Sequence, residues 1–157
     1  MRVGAACLSI FLGVAFQARA DRPEVIIDPG GVPPAALSAI NGAVEAITRL
    51  AEDQDGGEVS RLRRRAHEAT LSALETQGYF SPRVTLEVGE DFAGESWDIT
   101  IEPGPITHVS EVALDFKGQI TRPEFSGRIE SLREQWPLKE GRPFINSDWS
   151  GAKAGLL

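Results

Sequence analysis

The chain has 157 residues, 41% of them hydrophobic, with 16 basic and 23 acidic side chains, one cysteine and two histidines. A formal net charge of −7 excludes the basic footprint with which proteins meet nucleic-acid phosphates. A lone Cys7 and the widely separated His67 and His108 exclude a zinc site built on nitrogen and sulfur, which takes several such ligands.

Met1-Arg2 precedes an apolar run from Val3 to Phe16, and Gln17-Ala18-Arg19-Ala20 follows with small residues at the positions a signal peptidase reads. This pattern predicts a secretory signal peptide over residues 1–20, cleaved between Ala20 and Asp21. The run is shorter than the roughly 20 apolar residues a bilayer-crossing helix requires, and Cys7 lies too near the start for a lipoprotein signal. Cleavage removes Arg2, Arg19 and Cys7, so the exported chain is expected to be more acidic and to fold by packing alone, without disulfides.

Glu24 to Asp28 is a short β-prone run stopped by Pro29-Gly30-Gly31. Past Pro33-Pro34, Leu37, Ile40, Val44, Ile47, Leu50 and Ala51 recur at spacings of three and four, predicting a helix to about Asp53. Asp55-Gly56-Gly57 interrupts it. Val59, Leu62, Ala66, Ala69 and Ala73 predict a second helix, with Gly78 as its left-handed cap.

From Pro82 the period falls to two. Val84, Leu86 and Val88 alternate with Arg83, Thr85 and Glu87, and after a loop over Gly89 to Gly94 the same alternation returns in Trp97, Ile99 and Ile101. The two strands read as a hairpin. Pro103-Gly104-Pro105 then ends the sheet, because neither proline can donate a ladder hydrogen bond.

Residues 21–104 thus read as a β-α-α-β-β domain of the α+β class, with both helices on one face of a small three-stranded mixed sheet. Residues 105–157 begin the same order again: a strand at Val112, Leu114 and Phe116, a helical stripe at Phe125, Ile129, Leu132 and Trp136, and a second helix capped by Asn146 or Ser147. No closing hairpin follows before Leu157, so this second unit is expected to be incomplete and poorly ordered by itself. Phe116, Phe125, Ile129 and Trp136 would lack the sheet they pack on, each forgoing roughly 1.5–3 kcal/mol of burial. An exposed Trp136 or Trp149 would be a partner patch or an aggregation liability.

The turn Gly78-Tyr79-Phe80-x-Pro82-x-Val84 and the link Glu102-Pro103-Gly104-Pro105 resemble those of the polypeptide-transport-associated (POTRA) repeats in the TamA branch of the BamA/TamA outer-membrane assembly superfamily. Leu138 to Phe144, then Asp148-Trp149 and Ala152-Lys153, look like the loop and second helix of a second repeat. The resemblance implies tandem POTRA-like repeats, the second truncated, on the periplasmic side of the outer membrane. The implied function is polypeptide interaction in outer-membrane protein assembly or autotransporter secretion. The implied partners are a TamB-like inner-membrane-anchored protein and unfolded outer-membrane or autotransporter clients. Membrane contact would come only through a C-terminal barrel that these residues do not contain. A BamA-type or two-partner-secretion transporter is the alternative within the fold.

The chemistry-bearing residues support no active site. Arg61, Arg63, Arg64 and Arg65 form a dense basic patch, with Glu68 four residues after Arg64; such runs are ordinarily solvated helix faces. Glu90, Asp91, Glu95 and Asp98 cluster around the hairpin without the spacing of a calcium loop. A small secreted enzyme using those carboxylates is the rival reading from another class, and it predicts loss of activity on substituting Glu90 or Asp98. His67 is expected at a partly buried core edge and His108 at a strand start, neither near a nucleophile motif. No catalytic, cofactor-binding or metal residue is assigned. The expected functional surface is instead a free strand edge, which offers unpaired N–H and C=O groups to an extended polypeptide. If Arg83 to Val88 is that edge, as in the family, Arg83, Thr85 and Glu87 are the candidate partner-binding residues.

Overall fold

The computed structural model describes residues 22–52, 54–91 and 94–156. The expected signal segment, with Cys7 and the cleavage pair Ala20 and Asp21, lies outside the described residues, as does Asp53.

Strand β1 is Glu24–Asp28, with Val25 and Ile27 packed against the core and Ile26, on the opposite face, 54% exposed. Pro29 and two glycines turn the chain. Gly30 takes φ 53°, and a Cβ there would collide with the Ile101 carbonyl, so the turn needs glycine on both counts. Helix α1 is Pro34–Ala51, with proline in its first turn, where no N–H is missed. It buries Ala36, Ile40, Val44, Ile47, Thr48 and Ala51, whereas Leu50, assigned to the stripe from spacing, is exposed.

Helix α2 is Gly56–Thr76, opened by Asp55, whose carboxylate accepts from the Glu58 N–H at 2.9 Å. Its buried line is Val59, Leu62, Ala66, Thr70 and Leu74, with Ala69 and Ala73 only partly covered. Thr48 and Thr70 enter the core because each hydroxyl donates to a carbonyl of its own helix, Glu45 at 3.0 Å and Ala66 at 2.9 Å. Gly78, at φ 89°, follows α2 as expected.

Strand β2, Arg83–Asp91, runs antiparallel to β3, Gly94–Glu102, in a register from Arg83 opposite Glu102 to Asp91 opposite Gly94. The ladder therefore continues well beyond the Gly89–Gly94 loop expected from the sequence. Strand β1 joins the other side of β3 in parallel, Val25 opposite Trp97 and Ile27 opposite Ile99. The order β1-β3-β2 gives the expected α+β architecture with a mixed sheet. Trp97, Ile99 and Ile101 form its fully buried central row beneath both helices. The other face carries Arg83, Thr85 and Glu87 on β2 and Ser96, Asp98 and Thr100 on β3.

Beyond the Pro103-Gly104-Pro105 link the structure corrects the expected repeat. Residues 112–116 are not a strand; an isolated bridge between His108 and Pro143 stands nearby. A strand exists only as part of a ladder, and among the described residues none pairs with this segment. Its alternating side chains still work as an apolar strip: Val112 and Leu114 pack with Phe144 around buried Trp136, Leu138 and Ala152. Trp136, expected to be exposed, is therefore only 8% exposed. Trp149 meets it edge-on at 6.4 Å between centroids and stays 38% exposed; Phe125, at 41%, is exposed as expected.

Two short 3-10 turns, Gly118–Thr121 and Pro123–Phe125, lead into helix α3, Ser126–Gln135, and helix α4 is Asn146–Ala154. Ile145 holds the N-cap position of α4 without a side-chain bond, so neither Asn146 nor Ser147 caps it. The second unit is tied back to the first. Thr107 N–H donates to Gly78 O at 2.9 Å, Phe144 N–H donates to Thr107 O at 2.8 Å, and the Phe80 and Phe144 rings lie 5.8 Å apart.

Candidate functional site

Because β3 is central, β2 has one side unpaired within the sheet. In an antiparallel ladder each residue turns both its N–H and its C=O to the same side, and neighbours alternate. The parity here is fixed by one contact: His67 Nε2 lies 3.0 Å from the Val84 carbonyl oxygen, so that carbonyl is turned away from β3. The closing pair Asp91 and Gly94, with two residues between them, gives the same parity, since such a pair is hydrogen-bonded. The main-chain groups of Val84, Leu86 and Val88 therefore face the free side, and those of Arg83, Thr85 and Glu87 face β3.

Side chains and main-chain groups along this edge belong to alternate residues. The side chains of Arg83, Thr85 and Glu87 do flank the edge, exposed on the open face of the sheet: Arg83 ion-pairs with Glu102 at 2.8 Å, Thr85 lies opposite Thr100, and Glu87 opposite Asp98. The polar atoms available to an incoming strand belong to the residues between them. The sequence left this undetermined because the longer expected loop leaves the ladder's parity open.

Along the same edge runs an open groove of about 510 Å³, with Arg63, Arg64 and His67 of α2 on one wall and Val84, Leu86 and Val88 on the other. Their spacing of three and four residues places the α2 side chains on one helix face. That spacing is the sequence signal from which His67 could have been assigned to the edge. Helix α2 is fastened over the hairpin end by Glu95, whose Oε1 accepts from Trp97 Nε1 at 2.6 Å and lies 3.6 Å from Arg63 Nε.

The basic patch resolves into separate roles. Arg61 pairs with Glu58 at 3.0 Å, Arg63 donates to Ser60 Oγ at 2.8 Å, and Arg64 donates to the Ser60 carbonyl at 3.3 Å. The expected pairing of Arg64 with Glu68 is not among the ion pairs of the described residues. The carboxylates do not converge either. Glu95 lies on the helix-covered side of β3 and Asp98 on the open side, while the Glu90 and Asp91 side chains fall outside the described set. Among the described residues no three Asp, Glu, His or Cys side chains are grouped to hold a metal ion. His108 is exposed, its Nδ1 3.1 Å from the Ile106 carbonyl. No helix of the described residues is long and apolar enough to cross a membrane.

Residues 30–103 match the family model described as POTRA domain TamA domain 1. This segment is a TamA-type POTRA domain. The match opens at the Gly30 turn after β1 and closes just past β3, so it covers α1, α2, β2 and β3 of the first packed unit. The crystal structure of Haemophilus influenzae BamA POTRA3-5 is similar at 17% identity and a TM-score of 0.40, over 88% of this chain and 49% of that one. The chain thus spans about half the length of that solved relative. No curated protein matches. The POTRA domain is of an outer-membrane assembly protein family.

Proposed function

We propose that this chain is a non-enzymatic, periplasmic polypeptide-interaction module of a TamA-like outer-membrane assembly factor, and that its POTRA domain binds partner and client chains by adding a strand to β2. The observation that carries the reading is the free side of β2: the main-chain groups of Val84, Leu86 and Val88 lie along an open groove beneath α2. Main-chain pairing asks little of the incoming sequence, which suits a module that meets many unfolded chains. Strand β1 is the poorer acceptor, because it is five residues long against nine for β2 and is bracketed by Pro23 and Pro29.

By family membership the proposed partners are a TamB-like inner-membrane-anchored protein and unfolded outer-membrane or autotransporter polypeptides. The predicted signal peptide accounts for delivery to the periplasm. The second unit, residues 105–157, is proposed as a further POTRA-like repeat.

Val88→Pro tests the reading. Its N–H faces the free side, so proline removes a donor for the incoming strand while sparing the ladder to β3. The expected result is a folded chain that no longer captures an extended alternating Val/Thr peptide, whereas photo-crosslinkers at Thr85 or Glu87 of the unsubstituted chain do capture it. Undiminished capture by Val88→Pro, or capture only from helix faces, contradicts the reading.

A further inference from the structure

We infer that the β2 groove selects strands carrying a carboxylate side chain on the face turned toward α2, with Arg64 as the selecting cation. This rests on the strand-addition reading above and specifies the chemistry of its occupant.

Of the basic patch on α2, Arg63 and Arg64 line the groove. Arg61 is held by Glu58, and Arg63 lies between Ser60 and Glu95. Arg64 makes one long hydrogen bond to the Ser60 carbonyl, and among the described residues no carboxylate lies within ion-pair distance of it. It lines the groove and is exposed.

His67 touches Val84 at one end of the edge, while Arg63 reaches Glu95, which pairs with residue 90 at the other end. Helix α2 therefore runs antiparallel to β2, and Arg64 lies between those ends, beside Leu86 and Val88. Directly opposed residues in a ladder project their side chains to the same face. A residue opposite Leu86 or Val88 thus points toward Arg64, whereas one opposite Val84 points toward His67 and the apolar floor. The complementary strand has an acidic side chain at the first position and an apolar one at the second.

The whole chain carries a formal net charge of −7 and repels acidic polypeptides at long range. A preference for an acidic strand therefore has a local source, and reversing the Arg64 charge should reverse it.

The test measures fluorescence anisotropy of the full chain with peptides of about ten residues, Thr on one face and Val on the other, in which one central Val-face position is Glu, Gln or Lys. The expected order is Glu, then Gln, then Lys, with steps of about threefold at low salt that shrink as salt rises. Arg64→Glu should invert the order, and Arg64→Gln should abolish it. Equal affinities for the three peptides, or an order untouched by Arg64→Glu, overturns the inference. So does loss of anionic-vesicle binding in Arg64→Glu without any peptide preference. Amide protection of Leu86 and Val88 by the peptides separates the two levels. Protection without charge preference removes only the selectivity, and absence of protection removes the strand-addition reading beneath it.

Discussion

His67 Nε2 sits 3.0 Å from the Val84 carbonyl oxygen, so a side chain of α2 donates to an acceptor on the free edge of β2. This contact fixes which β2 residues present main-chain groups outward, and it closes one end of the edge. A strand that pairs as far as Val84 must share or displace the imidazole, whereas one confined to Leu86 and Val88 need not.

His67→Ala is therefore expected to act in two directions. Loss of a partly buried hydrogen bond lowers stability by about 1 kcal/mol in urea denaturation. Peptides long enough to reach Val84 bind more tightly, and shorter ones are unchanged in the same anisotropy assay. Weaker binding of both lengths would show that His67 contacts the strand rather than competing with it.

Gly78→Ala should loosen the joint between the two units. The position has φ 89°, and an added Cβ would strike the Phe144 carbonyl. The strain is expected to cost about 2 kcal/mol and to fall mainly on the second unit, through the Thr107 and Phe80–Phe144 contacts. Limited proteolysis would report it as early cleavage near Pro103–Thr107, with the first unit surviving.

Trp97→Ala removes the largest fully buried side chain and the Nε1–H that Glu95 accepts. The cavity should cost about 3–5 kcal/mol by denaturant unfolding. Binding at the β2 edge should fall with it, because Glu95, which holds Arg63 of α2 over the hairpin, loses the Trp97 N–H that orients it.

The Arg49 guanidinium, through a hydrogen bond and its charge, holds the Glu45 carboxyl below its ordinary value, with a lesser contribution from Arg22. A depressed folded-state pKa stabilises the fold above the carboxylate's unfolded value, and that contribution is lost as pH falls through the folded one. Glu45 is solvent-exposed, so the effect is small and screened by salt. Glu45→Gln should lower the melting temperature slightly at neutral pH and low salt, and the difference should vanish in acid.

The elements of the first unit were legible because each has a single strong period: Ile40, Val44 and Ile47 for α1, and Trp97, Ile99 and Ile101 for β3. Leu50 was misassigned because spacing alone cannot distinguish the flank of a stripe from its centre. Residues 112–116 carry a strand's alternation without a strand's partner, and pairing is a tertiary property that local pattern does not encode. At the candidate site, the sequence singled out the strand from Arg83 to Val88 but left open which of its backbone groups face outward. Ladder parity depends on where the hairpin closes, and the charged Glu90 and Asp91 read as loop rather than as the last residues of β2. His67 is partly buried as expected, but its bond to the β2 edge was not legible, since its partner is a main-chain oxygen 17 residues away.

Strand addition at β2 is tested most directly by residue-resolved amide hydrogen exchange on the full chain, with and without a saturating alternating Val/Thr peptide. Pairing there should slow the Leu86 and Val88 amides by on the order of tenfold or more, while Thr85 and Glu87, already bonded to β3, change little. Unchanged exchange at Leu86 and Val88, with new protection at β1 or on a helix, would contradict it.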